Sequence, residues 1–167
     1  MKSAQNLGRS HTVAHLLTLK TLQKVVEELK SQGKTIVFAN GCFDILHVGH
    51  IRYLKSARDL GDVLIVGLNS DASIERIKGK QRPVTPLKER AEILSQLPFV
   101  DFIVVFDEPT ADNVLATLKP HIHAKGTDYT EESVPERQTV LSYGGKIAIV
   151  GDPKDHSVRE ILRRMRR

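Results

Sequence analysis

Residues 34–50 read KTIVFANGCFDILHVGH, and the order of residue types within them sets the architecture. The apolar run Ile36 to Ala39 is short and bounded by polar residues, as a buried strand is. A helical run, IRYLKSARDL (51–60), follows, with Ile51, Leu54 and Ala57 on one face and Gly61 closing it. Between the two stand Gly41, Gly49 and a pair of histidines, His47 and His50. A strand that passes into a helix through glycines and imidazoles begins a β–α unit. The first turn of such a helix attracts anions, because its N–H groups and dipole face outward.

The alternation continues along the chain. Strands are expected at 34–40, 62–70 (DVLIVGLNS), 101–106 (DFIVVF), 121–126 (HIHAKG) and 146–151 (KIAIVG). Helices are expected at 49–60, after Asp71, at 86–97 opened by Pro86, at 110–118 ended by Pro120, and at 157–166. This is the pattern of a Rossmann-like α/β domain, with a parallel five-stranded sheet covered by helices on both faces. A further helix over 19–32 has Thr18 at its start and Gly33 at its end, whereas residues 1–16 show no period and read as a loose tail. The expected division is 1–33, a tail and helix packed on the domain, and 34–167, the domain itself.

A chain of 167 residues fits one such domain, and 40% hydrophobic residues suffice for its core. No apolar stretch has membrane-spanning length, and the start MKSAQNLGRSHTVAH has no signal-peptide core, which points to a cytoplasmic protein with no membrane partner. The single cysteine, Cys42, excludes an internal disulfide and a cysteine zinc cluster. A net charge of +5 suits anionic small ligands. The basic end, VREILRRMRR, reads as a helix whose cations favour its C-terminal dipole. With 5% aromatic residues and no Trp, stacking platforms for nucleic acid are scarce, and no nucleic-acid partner is expected. A homo-oligomer is left open.

In open parallel sheets ligands bind beyond the carboxyl ends of the strands. Polar and glycine residues collect at four of those ends: NGCFDILHVGH, NSD (69–71), KGTDY (125–129) and GDPKDHS (151–157). Neither G-x-G-x-x-G after the first strand nor G-x-x-x-x-G-K-[ST] is present. His47 and His50 are spaced to face one phosphate, and Gly41 and Gly49 let backbone approach it. A structural histidine pair is the plainer alternative. A zinc site would need His121 and His123 as well, but these alternate along a strand and point to opposite faces. Cys42 is either a nucleophile or, more simply, a small residue in a tight turn.

GCFDILHVGH resembles the signature of the HxGH nucleotidyltransferase superfamily, which includes cytidylyltransferases and pantetheine-phosphate adenylyltransferases. Across residues 17–162, NGCFDILHVGHIRYL, GLNSDAS, KGKQRPVTPLKERAEIL, KGTDY and DPKDHS resemble one branch in order and spacing, the D-glycero-β-D-manno-heptose 1-phosphate adenylyltransferases. The resemblance implies transfer of AMP from ATP, with Mg²⁺, to a sugar 1-phosphate. It implies catalytic His47 and His50. Nucleotide contacts are implied at Gly41, Cys42, Phe43, Gly49, Lys78, Gly126, Asp128 (to the ribose) and Ser157. Substrate or phosphate contacts are implied at Asp44, which could equally fix the turn or an imidazole, and at Lys55, Asn69, Arg90 and Lys125. The metal ligands are not identified. The superfamily usually carries a Ser/Thr run where this chain has HSVRE, so Val158 and Arg159 stand in place of hydroxyls. A cytidylyltransferase or an FAD-synthetase-type enzyme would use the same phosphate machinery. A nucleotide- or nucleic-acid-binding protein is the non-enzymatic alternative.

Overall fold

A computed structural model describes residues 13–153 and 158–165. Its elements are β1 (His15–Leu16), α1 (Leu19–Ser31), β2 (Ile36–Gly41), α2 (Val48–Arg58), β3 (Val63–Asn69), α3 (Asp71–Lys78), α4 (Leu87–Ser95), β4 (Phe102–Phe106), α5 (Asp112–Leu118), β5 (Ile122–Lys125), α6 (Arg137–Ser142), β6 (Lys146–Ile149) and α7 (Val158–Met165), with a 3-10 turn at Glu131–Ser133. The strands form one sheet in the order β1-β4-β3-β2-β5-β6, and every pairing is parallel. From β2 the chain moves outward through β3 to β4, then returns past β2 to β5 and β6. That reversal opens a crevice at the carboxyl ends of β2 and β5.

Period-two alternation assigns each strand's side chains to two cores. Val37, Ala39, Leu64, Val66, Leu68 and Ile103 meet Leu54 and Ala57 of α2 and Ala91 and Leu94 of α4. Ile36, Phe38, Ile65 and Val104 meet Leu22 and Val26 of α1, Val114, Leu115 and Leu118 of α5, and Val140 of α6. Gly67 continues this second face without a side chain, and a Cβ there would lie 2.4 Å from the Phe38 ring. The strand thus gives up one side chain so that an aromatic can fill the space beside it. Helix α1 is tied to its neighbour by Lys30, whose ammonium donates to the carbonyls of Leu118 (2.9 Å) and Lys119 (2.6 Å) at the end of α5. Lysine at a helix C-terminus satisfies orphan carbonyls and favours the dipole.

Three elements differ from expectation. The sheet has six strands among the described residues rather than five, because His15 and Leu16, read as tail, pair with Phe102 and Ile103. A two-residue strand has no period to detect. Backbone bonds hold it, from His15 N to Asp101 O (3.0 Å) and from Leu17 N to Ile103 O (3.0 Å), and these are independent of side-chain type. The 3-10 turn and α6, between β5 and β6, are likewise too short for periodicity to register. No described helix is long and apolar enough to cross a membrane.

Candidate active site

The turn after β2 is built around its own rings. Phe43 holds a left-handed φ of +46° and is buried. A Cβ on Gly41 would lie 3.1 Å from the Phe43 ring, so glycine clears the ring's path. Phe43 in turn sets its ring against the His50 imidazole, edge to face, at 5.1 Å. His47 is the N-cap of α2 in extended conformation, and its Nδ1 accepts the Gly49 N–H at 3.2 Å. His50, one turn in, accepts the His47 N–H on its own Nδ1 at 3.4 Å. The HxGH spacing therefore makes a reciprocal capping box, with imidazoles where Ser/Thr and Glu usually stand.

This arrangement decides where the protons are. Burial first, and then the neighbouring charges of His47 and Lys78, hold His50 at a pKa of about 3, so the ring is neutral at physiological pH. A neutral imidazole that accepts on Nδ1 carries its proton on Nε2. His47 likewise accepts a backbone N–H on its Nδ1. The two rings stack with centroids 3.9 Å apart, and both line the cleft. The Gly49 N–H is used by His47, so the expectation that it meets a phosphate directly is revised: the imidazole relays that donor instead.

Charged residues around the turn divide into braces and open groups. Asp44, 2% exposed, accepts from Val84 N (2.7 Å), Thr85 N (3.0 Å) and Arg82 Nη1 (2.7 Å). Burial pushes its pKa up, but the hydrogen bonds from Thr85, Arg82 and Val84 and the Arg82 charge together hold it below the ordinary carboxylate range. Asp44 thus fastens the loop before α4 to the turn after β2. Of its two expected roles, this geometry is that of the turn brace, with both oxygens engaged. Arg90, 1% exposed, donates to the carbonyls of Thr85, Cys42 and Asn69 and to the Asp71 carboxylate at 2.7–3.0 Å. Its guanidinium thus props the cleft floor from beneath. Lys55 is exposed on α2 and lies outside the cleft lining. Helical geometry turns it about 100° per residue from its neighbours, away from the face that His50 presents.

Of the remaining expected residues, Gly41, Cys42, Phe43, His47, Gly49, His50, Asn69, Lys78, Lys125, Gly126 and Asp128 line one cleft of about 940 Å³. That is room for a nucleotide and a second small substrate. Ser70 caps α3, its Oγ accepting from Ser73 N at 3.1 Å. The Asn69 amide donates to Ser73 Oγ at 3.0 Å. Burial raises the Cys42 thiol pKa against the opposing charges of Lys78 and Arg90, which keeps it a thiol and favours the tight-turn reading. Lys125 is 6% exposed and paired with Glu136, so its charge is balanced within the wall. Ser157 lies outside the described residues.

Sequence reasoning missed several lining residues. Arg52 reaches across the mouth to Asp152 at 2.7 Å, both half exposed. Tyr53 donates its hydroxyl to Ala124 O at 2.7 Å. Both are ordinary members of a helix face in sequence, with no local signal. Glu136 and Asn40 also line the cleft. Asn40, the last residue of the KTIVFAN run, was the one such position with a cue, a polar residue closing an apolar strand. Among the described residues no group of three His, Cys, Asp or Glu is placed to hold a metal ion.

Residues 38–160 match the family model described as cytidylyltransferase-like. The chain is 46% identical, over 98% of its length, to the bifunctional protein HldE of Pelobacter propionicus. It is 47% identical, over 91%, to that of Geobacter sulfurreducens. It spans 33% and 31% of those proteins, about a third of their length. Among solved structures, the lipopolysaccharide core biosynthesis protein of Thermoplasma volcanium superposes with a TM-score of 0.63 at 33% identity, covering 73% of this chain and all of that one. The pantoate-beta-alanine ligase of Francisella tularensis reaches 0.63 at 19% identity, over 89% of this chain and 76% of that one, which speaks to the fold alone. With most of its length matched by that model, around a turn whose two imidazoles cap one helix, the chain belongs to the cytidylyltransferase-like family.

Proposed function

We propose that the chain transfers AMP from ATP to D-glycero-β-D-manno-heptose 1-phosphate, giving ADP-heptose and pyrophosphate. The observation that carries this reading is the pair of stacked imidazoles at the start of α2, each accepting a backbone N–H on Nδ1 and both lining the cleft. The substrate is favoured by the heptose-branch motifs and by the similarity to HldE proteins and to a lipopolysaccharide core biosynthesis protein.

An oxygen of the sugar phosphate attacks the α-phosphorus. The new P–O bond forms as the bond to the leaving pyrophosphate breaks, and pyrophosphate keeps the electron pair. The attacking oxygen is already anionic, so no general base is required, and the work is alignment and charge stabilisation. His47 and His50 donate from Nε2 to the α- and β-phosphates as charge builds there. Lys78, at the end of α3 in the cleft lining, adds positive charge. The backbone of Gly41 to Phe43, with Gly126 and Asp128, forms the nucleotide's side of the cleft, and Ser157 adds a hydroxyl to the phosphates. Mg²⁺, bound with the triphosphate, would be the metal of this reaction. The ion's chemistry is to offset the charge of the phosphates. The reaction belongs in the cytoplasm, where ATP is supplied.

Pyrophosphate release tests this, with ATP or CTP paired with heptose 1-phosphate, glycerol 3-phosphate and flavin mononucleotide. ATP with heptose 1-phosphate should give the highest kcat/KM. The family match favours one competing reading, use of CTP, and a kcat/KM for CTP equal to or above that for ATP would establish it. Release from no pair would overturn the enzymatic reading.

A further inference from the structure

Glu136 differs from every other charged group of the cleft. It stands just before α6 and is 2% exposed. Its Oε1 accepts the Ala111 N–H at 3.2 Å, which anchors it to the turn after β4. Its Oε2 is buried and accepts no hydrogen bond. The Lys125 ammonium is 3.6 Å from that oxygen, so charge is balanced while the oxygen still lacks a donor in contact. The Lys125 Nζ is itself held 3.5 Å from Asn40 Oδ1 and 4.6 Å from the centre of the Tyr129 ring. His123 Nε2, 2.8 Å from the same Asn40 oxygen, completes the support. Glu136, Lys125, Asn40 and Tyr129 all line the cleft. A buried carboxylate oxygen without a donor is unfavourable, and such a group is retained where a ligand supplies the missing hydrogen.

We propose that Glu136 determines specificity for the acceptor: its Oε2 accepts a hydrogen bond from a sugar hydroxyl, and the Lys125 ammonium donates to an oxygen of the same polyol. A carboxylate repels phosphate, so this wall is not the phosphate tract. The nucleotide's expected contacts lie at the ends of β2, β5 and β6. Glu136 lies between the two sides: its Oε1 is fastened to the turn after β4, whose Pro109 and Thr110 line the cleft, and its Oε2 faces Lys125 at the end of β5. A polyol offers both a donor for Oε2 and an acceptor for Nζ, which a buried ion pair at 3.6 Å requires of its ligand. This inference rests on the adenylyl-transfer reading and names the group that reads its second substrate.

The test uses the full chain, ATP, and heptose 1-phosphate with its mono-deoxyfluoro analogues, because fluorine cannot donate a hydrogen bond. In the wild type one position should raise the sugar KM about tenfold or more when fluorinated, the size expected for an unpaired buried acceptor. In Glu136→Gln the KM for heptose 1-phosphate should rise about tenfold, the KM for ATP should stay within about twofold, and the fluorine penalty at that position should disappear. A purely structural glutamate would give none of this position dependence. If Glu136→Gln fails to fold, the wild-type fluorine series decides alone. Wild-type turnover with a flat series overturns the assignment, as does a variant whose KM for ATP rises in step with that for the sugar. Absence of wild-type turnover with every acceptor overturns the adenylyl-transfer reading and this assignment with it.

Discussion

Asp44 and Glu136 are equally buried carboxylates, each 2% exposed, in the lining of one cleft. Asp44 accepts three hydrogen bonds, whereas Glu136 accepts one and keeps an oxygen without a donor. Burial alone therefore does not mark a binding group; the count of satisfied lone pairs does. The histidines show a third condition. Each accepts a backbone N–H on its Nδ1 within the first turn of α2.

The largest effect should come from breaking the pair of histidines. His47→Ala or His50→Ala should each lower kcat about 10²–10³-fold with little change in nucleotide Kd, because donors aimed at developing charge act on the transition state. Steady-state kinetics with equilibrium ATP binding checks this, and near-normal turnover in both variants would remove the catalytic assignment. Next in size is Asp44→Ala, which strands the N–H groups of Val84 and Thr85 and releases Arg82. It should cost about 2–4 kcal/mol of stability in urea unfolding, while a loss under about 0.5 kcal/mol would show that Asp44 is no brace.

pH separates the same groups more gently. His50 and His123 both have pKa values pushed down to about 3 from 6.5, His123 by burial and then by Lys125. Each favours the fold fully above pH 6.5. Below that the unfolded chain takes up a proton that the folded chain refuses, so stability falls by up to about 1.4 kcal/mol per pH unit per histidine as pH drops toward 3. The Asp44 contribution is present above its unfolded value of 3.8 and is lost only as pH falls further, through its lowered folded value. Urea midpoints that stay flat from pH 7.5 to 4.5 would contradict the neutral, buried state of both rings. The smallest change is expected from Cys42→Ser, with kcat within about threefold of wild type, since a raised thiol pKa leaves no thiolate to act. Loss of turnover in a folded Cys42→Ser protein, or a trapped nucleotide adduct on Cys42, would reverse that.

The β–α–β order, the two-faced sheet and the HxGH turn were legible because each rests on local spacing. Ile36 to Ala39 is an apolar run, Leu22 and Val26 follow a helical period, and His47 and His50 are three residues apart at a helix start. The same locality placed Gly41, Gly126 and Asp128 at strand ends that the parallel topology brings together. What composition and spacing could not reveal was which polar side chains are already spent. Arg90 looked like a phosphate ligand until the fold put it under the carbonyls of Cys42 and Asn69, residues 48 and 21 positions away. Sequence left Asp44 between a turn brace and a ligand group, and only the fold shows Val84 and Thr85 closing on it across 40 and 41 positions. Glu136 carried no motif, and only the meeting of β4, β5 and the start of α6 shows its unpaired oxygen. Local sequence determines backbone conformation and the side chains facing a helix's own first turn. Hydrogen-bond saturation depends on partners distant in the chain, and only the tertiary structure decides it.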